Sequence, residues 1–285
     1  MSYTTFEARP LTGALGAEIY GADLKDHANT ALWQELQQAL LEFKVIAVRG
    51  QNLSPAEQRD AAKHFGEPSH YPFAQGLPDV PQMTLVVKEP HDRRNFGNGW
   101  HSDTPYLAEP PAITTLYAVE TPPKGGDTLF TNTQMAYEEL STGLRRLIDG
   151  LTGVFSASLK YRPGGNRQEH HAKITSMPVT NTDSAERYVS RHPIVRTHPQ
   201  TRTKALYCSL THTLHLDEMT ERESQPLIKM LYDHASTPEF TCRVRWEPGQ
   251  MTFWDNRCTM HNAVNDYHGA RREMRRLTVR PEKPV

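Results

Sequence analysis

Two short stretches far apart in this chain carry the residue types of one metal site: Trp100-His101-Ser102-Asp103 and Met260-His261-Asn262-Ala263. His101 and Asp103 are two residues apart, so in an extended segment both side chains leave the same face and can share an ion. A second imidazole from elsewhere would complete two histidines and one carboxylate on one side of the metal. That set leaves coordination positions open, as non-haem Fe(II) oxygenases require. Any fold that uses it must return residue 261 to residue 101.

His-x-Asp by itself says little. With 14 histidines in the chain, about one such tripeptide is expected by chance at average composition. A second does occur, His215-Leu216-Asp217, immediately before Glu218-Met219-Thr220-Glu221-Arg222-Glu223-Ser224. Acidic residues there suit the positive start of a helix, so the second tripeptide reads as a helix entry.

The tail adds two more candidates. Eleven residues after His261 comes Arg272, and four further on Arg276. With period two, Arg272, Met274, Arg276 and Thr278 share one face, while Glu273, Arg275, Leu277 and Val279 share the other. At a rise of ~3.3 Å per residue the two arginines stand roughly 13 Å apart. They therefore suit two different anions rather than one. The guanidinium fork pairs with carboxylates, sulfonates or phosphates. A solvated basic edge strand would also explain the pattern.

Together these residues resemble the taurine dioxygenase family of Fe(II)/2-oxoglutarate oxygenases, which includes alkylsulfatases and aryloxyalkanoate dioxygenases. The resemblance runs from Pro10-Leu11-Thr12-Gly13-Ala14-Leu15-Gly16-Ala17-Glu18-Ile19 and Gly21-Ala22-Asp23-Leu24 through Trp100 to Asp103, Pro110-Pro111-Ala112 and Gly125-Gly126-Asp127-Thr128. It ends in Trp254-Asp255-Asn256-Arg257, His261, Asp266-Tyr267 and the Arg272/Arg276 pair. It implies that His101, Asp103 and His261 bind Fe(II). It further implies that Thr128 and Arg272 hold the distal carboxylate of 2-oxoglutarate, and that Arg276 grips the substrate anion. His70, in Gly66-Glu67-Pro68-Ser69-His70-Tyr71-Pro72, falls near a substrate-contacting histidine of taurine dioxygenases, across a small gap. The implied reaction uses O2, hydroxylates a substrate carbon, and releases succinate and carbon dioxide. The implied substrate is a small organic anion.

Around the metal tripeptide the match to taurine-specific members loosens. Those carry an asparagine shortly before it, where this chain has Gly97 with Asn98 beside it. Near Lys160-Tyr161-Arg162-Pro163-Gly164-Gly165 and Leu210-Thr211-His212 the aromatic residues of a taurine pocket are not found. Phe240-Thr241-Cys242-Arg243-Val244-Arg245-Trp246 and Cys258-Thr259-Met260 instead resemble aryloxypropionate dioxygenases. Sulfonate, sulfate ester and aryloxyalkanoate all stay open.

At 285 residues the chain can bury a sizeable core, and barrel-like enzymes of this size are often one domain. A single domain over 1–285 is expected, with active-site loops near 69–99 and 162–187. The net charge of −1 gives no reason to expect nucleic acid or a membrane surface as partner. Cys208, Cys242 and Cys258 are odd in number and form no Cys-x-x-Cys pair, which fits a reducing cytoplasm. No signal-peptide core and no apolar run of about 18 residues occurs. A soluble, cytoplasmic homo-oligomer is expected.

Helical spacing covers Thr30 to Phe43, Val45 to Val48 reads as a buried strand, and Ser54-Pro55-Ala56-Glu57 starts a second helix. Strands are expected at Met83 to Val87, Ile113 to Val119, Asp127 to Phe130, near Ile194, at Ala205 to Cys208 and from Thr241 onwards. Helices are expected at Thr133 to Leu151 and Glu221 to His234. The implied fold is mainly β with flanking helices around a double-stranded β-helix, or jelly-roll, core. Two other functions share that fold: a Zn-dependent hydrolase, since the same three ligands suit zinc, and a non-catalytic anion-binding jelly roll. The paired arginines and Thr128 speak against the hydrolase, which needs no seat for a dicarboxylate.

Overall fold

Residues 3–161, 180 and 182–285 are described by the computed structural model. Its largest layer is an eight-stranded sheet. Across it run β1 (Glu7–Pro10), β2 (Ala17–Tyr20), β3 (Val45–Val48), β14 (Met251–Asp255), β6 (Pro111–Glu120), β16 (Arg272–Pro281) and β4 (Pro68–Ser69), with β5 (Thr84–Lys88) also paired to β16. Only β2 and β3 pair in parallel in this sheet. A smaller antiparallel sheet, ordered β13 (Thr241–Val244), β7 (Thr128–Asn132) and β15 (Thr259–Ala263), packs on one of its faces. A third sheet joins β12 (Thr213–Leu216), β8 (Thr152–Ser156) and β9 (Val189–Pro193), and β10 (Val195–Thr197) pairs with β11 (Lys204–Leu206).

The alternation of side chains explains why the large sheet is covered on both sides. In β3, Val45 and Ala47 meet Val86, Leu116, Trp254 and Met274 of the large sheet and Phe130 and Val244 of the smaller one. Ile46 and Val48 point the other way, into a core shared with Leu32, Trp33, Leu36 and Leu40 of α1 (Thr30–Phe43) and Ala61 and Ala62 of α2 (Pro55–Lys63). A strand buried on both faces needs an unbroken apolar run, and Val45-Ile46-Ala47-Val48 is one. Helix α2 opens as its sequence suggests. The Ser54 hydroxyl accepts from the Glu57 amide, and the Glu57 carboxylate accepts from the Ser54 amide.

Several expectations are corrected. The helix expected over Thr133 to Leu151 is two, α3 (Thr133–Glu138) and α4 (Thr142–Ile148), because Ser141 caps a new first turn by accepting from the Leu144 amide. The tail strand β16 is no edge: β6 lies on one side and β5 and β4 on the other, so its arginines are not a solvated fringe. His215 and Asp217 have partners of their own. Asp217 pairs with Arg191, and His215 turns its Nδ1 to the Leu216 carbonyl ahead of α5 (Glu221–Ala235). Of the loop expected near 162–187, positions 162–179 and 181 lie outside the described residues, and Thr182–Arg187 forms a 3₁₀ turn. Among the described residues, no helix is long and apolar enough to cross a membrane. The three cysteines are buried and free.

Candidate active site and metal centre

Between the large sheet and the smaller one, a pocket is lined by residues from both, with Phe96, Gly97, His101 and Asp103 from the segment that precedes β6. Thr128, His261, Arg272, Arg276 and Trp254 complete its wall. All the charged groups named for it are buried.

His101, Asp103 and His261 come together here, with one ligand atom from each lying within 4.8 Å of the others. Backbone pairing does this. His101 N donates to the His261 carbonyl at 3.0 Å, and His261 N donates to the His101 carbonyl at 2.8 Å, an antiparallel bridge. The approach to His101 turns through Gly97 and Gly99, with φ of 89° and 88°, a region glycine enters without Cβ strain. The Gly99 carbonyl lies 2.6 Å from His101 Nδ1. As a proton donor, Nδ1 leaves the Nε2 lone pair for a metal, the usual arrangement around ligand histidines.

Asp103 is held just as closely. The Thr114 hydroxyl donates to Asp103 Oδ2 at 2.6 Å, and Asn256 Nδ2 donates to Thr114 Oγ1 at 2.8 Å. Asn256 Oδ1 accepts from the Asp103 amide and from Trp254 Nε1. Arg276 Nη2 lies 2.9 Å from Asp103 Oδ1. Burial alone would raise the Asp103 carboxyl, but the Arg276 guanidinium, the two histidines and the Thr114 hydroxyl hold it well below the usual carboxylate range. Burial pushes His261 down to about 4, against the pull of Asp103. It pushes His101 far down as well, reinforced by His261. Two neutral imidazoles beside an ionised carboxylate are what a divalent cation binds at neutral pH.

Arg272 and Arg276 share the pocket but meet different surroundings. Arg272 stands 5.6 Å from the Trp246 ring, and its Nε and Nη2 have no hydrogen-bond partner among the described residues. Buried guanidinium nitrogens without partners are costly, so they mark a seat for an anion. Thr128 Oγ1 accepts from Trp246 Nε1 at 3.0 Å, which leaves its own proton to donate elsewhere. Arg276 lies over the Tyr71 ring at 5.0 Å. Its neighbour His70, the residue expected to contact substrate, is exposed.

Sequence reasoning did not find Thr114, Asn256 or Tyr71. Asn256 lies inside a stretch already noted, but Thr114 is one more β-branched residue in Ala112-Ile113-Thr114-Thr115-Leu116, without any local signal. A second cluster, His198, Asp255 and Cys258, also has metal-ligating types. Here Arg257 donates to both oxygens of Asp255 at 2.8 and 2.6 Å, and His198 Nε2 lies 3.0 Å away. The carboxylate is already satisfied, and this is a buried ion pair rather than an ion site.

Known proteins similar to this chain share one family. The family model described as "Taurine catabolism dioxygenase TauD, TfdA family" matches residues 7–278. An "Alpha-ketoglutarate-dependent sulfate ester dioxygenase" of Pseudomonas putida is 35% identical, over 98% of this chain and 91% of its own length. An "Alkylsulfatase" of Acinetobacter baylyi is 34% identical, covering 97% and 85%. An "Alpha-ketoglutarate-dependent 2,4-dichlorophenoxyacetate dioxygenase" of Cupriavidus pinatubonensis is 31% identical, covering 95% and 96%. Among solved structures, a "Putative Alpha-ketoglutarate-dependent Taurine Dioxygenase" from Burkholderia xenovorans superposes with a TM-score of 0.81 at 32% identity, covering 98% and 91%.

Proposed function

The chain belongs to the TauD/TfdA family of 2-oxoglutarate-dependent dioxygenases, and from that premise we propose that it hydroxylates a small organic anion at an Fe(II) centre held by His101, Asp103 and His261. Thr128 and Arg272 seat the distal carboxylate of 2-oxoglutarate, and Arg276 holds the substrate anion. The substrate classes are those of its relatives: a sulfonate, a sulfate ester or an aryloxyalkanoate. One domain spans 1–285, its two packed sheets form a jelly roll, and the stretch 69–99 delivers Tyr71 and Phe96 to the substrate side.

The observation that carries this reading is the convergence of the three ligand atoms in one pocket with two buried arginines. The residues fit the group. Nitrogen and oxygen donors without thiolate leave iron redox-active and open to a chelating co-substrate. When bound, Fe(II) with 2-oxoglutarate and O2 supplies the oxidation, in which the co-substrate ends as succinate and carbon dioxide and one substrate C–H becomes C–OH.

The chain's own residues bind and aim. Arg272 supplies paired donors to one end of a diacid, and the Thr128 hydroxyl, aligned by Trp246, adds a third. Thr114 and Asn256 fix the rotamer of Asp103. Arg276, pinned between Asp103 and the Tyr71 ring, places the substrate anion beside the metal ligands. A placement error of about 1 Å could cost on the order of a hundredfold in rate. Family membership leaves the zinc hydrolase and the non-catalytic barrel without support.

The test is direct. Anaerobic protein given Fe(II) and 2-oxoglutarate should develop a weak visible charge-transfer band, and succinate should form when oxygen and a substrate from one of the three classes are added. A colourless mixture that makes no succinate with any class would refute the reading.

A further inference from the structure

Beside Arg272 stands a buried phenol with nothing to donate to. The Tyr267 hydroxyl, like Nε and Nη2 of Arg272, has no hydrogen-bond partner among the described residues. The ring itself is firmly placed. Lys88, opposite Arg272 in the pairing of β5 with β16, sets its Nζ 4.5 Å from the centroid of the Tyr267 ring and donates to the Tyr267 carbonyl at 3.4 Å. Gly126 packs against the same ring, where a Cβ would stand 3.2 Å from Cδ1 and 3.3 Å from Cε1. Asp266 Oδ1 accepts from the Gly126 amide at 2.7 Å, which ties Tyr267 to the Gly125-Gly126-Asp127 run leading into Thr128. Tyr267 is thereby held in register with both residues of the proposed carboxylate seat.

We propose that Tyr267 is the fourth donor of the 2-oxoglutarate seat, its hydroxyl donating to the distal carboxylate alongside Arg272 and Thr128. This rests on the dioxygenase reading above. A carboxylate offers about four lone-pair sites on its two oxygens. Nε and Nη2 of Arg272 answer two and the Thr128 hydroxyl a third, so one site is left for the phenol. That proton has no use on Arg272, because a guanidinium accepts no hydrogen bond. Burial pushes the Tyr267 phenol up, and the Arg272 guanidinium is the first influence that opposes it, so the two groups lie close and the phenol keeps its proton at neutral pH. A buried hydroxyl left without a partner destabilises the ligand-free protein, and an arriving carboxylate relieves that cost. The competing acceptor is Asn95 Oδ1, which is also without a partner, while Asn95 Nδ2 donates to the carbonyls of Ala263 and Val264.

Tyr267→Phe deletes the hydroxyl and keeps the ring between Lys88 and Gly126. Two ligands separate the possibilities: 2-oxoglutarate, and 2-oxopentanoate, which has the same carbon chain and chelating end but a methyl group in place of the distal carboxylate. Each is titrated anaerobically into the Fe(II)-loaded protein, with the charge-transfer band and the heat of binding as readouts. Tyr267→Phe should weaken 2-oxoglutarate at least about tenfold, the scale of one charge-assisted hydrogen bond. It should leave 2-oxopentanoate and Fe(II) affinities unchanged, and the ligand-free variant should melt no lower than the ligand-free wild type. Unchanged affinity for 2-oxoglutarate overturns the proposal, as does equal weakening of both acids. A lower melting temperature of the ligand-free variant overturns it too, because the hydroxyl then already serves Asn95 within the protein. If the wild type itself binds no 2-oxoglutarate, the dioxygenase reading has failed and not only the role of Tyr267.

Discussion

His101 and His261 exchange both of their backbone hydrogen bonds, so the two imidazoles that flank the candidate metal are set by a β-bridge rather than by side-chain packing. Their ring centroids lie 4.3 Å apart. Because the bridge uses main-chain groups alone, the site's frame survives changes to the side chains it presents.

His101→Ala and His261→Ala should therefore each abolish the anaerobic charge-transfer band and turnover while leaving the fold in place. Thermal melts of the metal-free variants should match the metal-free wild type to within a few degrees, the scale of about 1 kcal/mol in a chain this long. Retained metal binding in either variant would show that the ion lies elsewhere.

Removing the metal should itself be visible in stability. A ligand that binds only the folded state at a hundred times its dissociation constant adds about 2.7 kcal/mol. Chelator should lower the melting temperature of the wild type and leave that of Asp103→Ala unmoved.

The two arginines should divide their work. Arg272→Ala removes two buried donors, Nε and Nη2, that have no hydrogen-bond partner among the described residues. It should raise KM for 2-oxoglutarate by at least about tenfold, with little change for substrate. Arg276→Ala should do the reverse. Because Arg276 touches Asp103, iron affinity must be titrated separately in that variant. Equal effects of both substitutions on 2-oxoglutarate would contradict the division.

Thr114→Val tests the support behind Asp103. It deletes the donor to Asp103 Oδ2 and the acceptor for Asn256 Nδ2. Loss of such an outer hydrogen bond typically costs about 10–100-fold in metal affinity. An Fe(II) titration by calorimetry should show that loss without a change in the number of sites.

Asp255 governs acid stability. Burial would raise its carboxyl, but Arg257 and His198 hold it below the usual carboxylate range. A depressed folded-state pKa stabilises the protein above the unfolded value of about 3.9, and that stability is lost as pH falls through the range below it. Asp255→Asn removes the carboxylate that pairs twice with buried Arg257 and leaves it only Glu282, 3.6 Å away, as counter-charge, at a cost of up to about 3–5 kcal/mol near neutrality. Chemical denaturation between pH 7 and pH 3 should show a smaller acid dependence in the variant than in the wild type.

Much of this was legible before the fold was known. Val45 to Val48 reads as a doubly buried strand from its unbroken apolar run, and α2 starts where Ser54, Pro55 and Glu57 say it should. The helix expected over Thr133 to Leu151 misleads because apolar spacing continues across Ser141, while the cap bond that restarts the helix is visible only in coordinates. His70 and Tyr71 differ by one position in an irregular segment, where no periodicity says which side chain faces in.

What the sequence determined by itself is the set of chemical types and their local order: His-x-Asp in an extended stretch, a distant histidine, and two arginines on one face of a strand. Such features depend on neighbours along the chain, and strand geometry converts spacing into direction. The tertiary structure alone decided which of two His-x-Asp tripeptides meets His261, that Thr114 and Asn256 brace Asp103, and that Tyr71 underlies Arg276. Those contacts join residues up to about 200 positions apart. They exist only because sheet pairing and the burial of charged groups leave each of those side chains a single place to satisfy its hydrogen bonds.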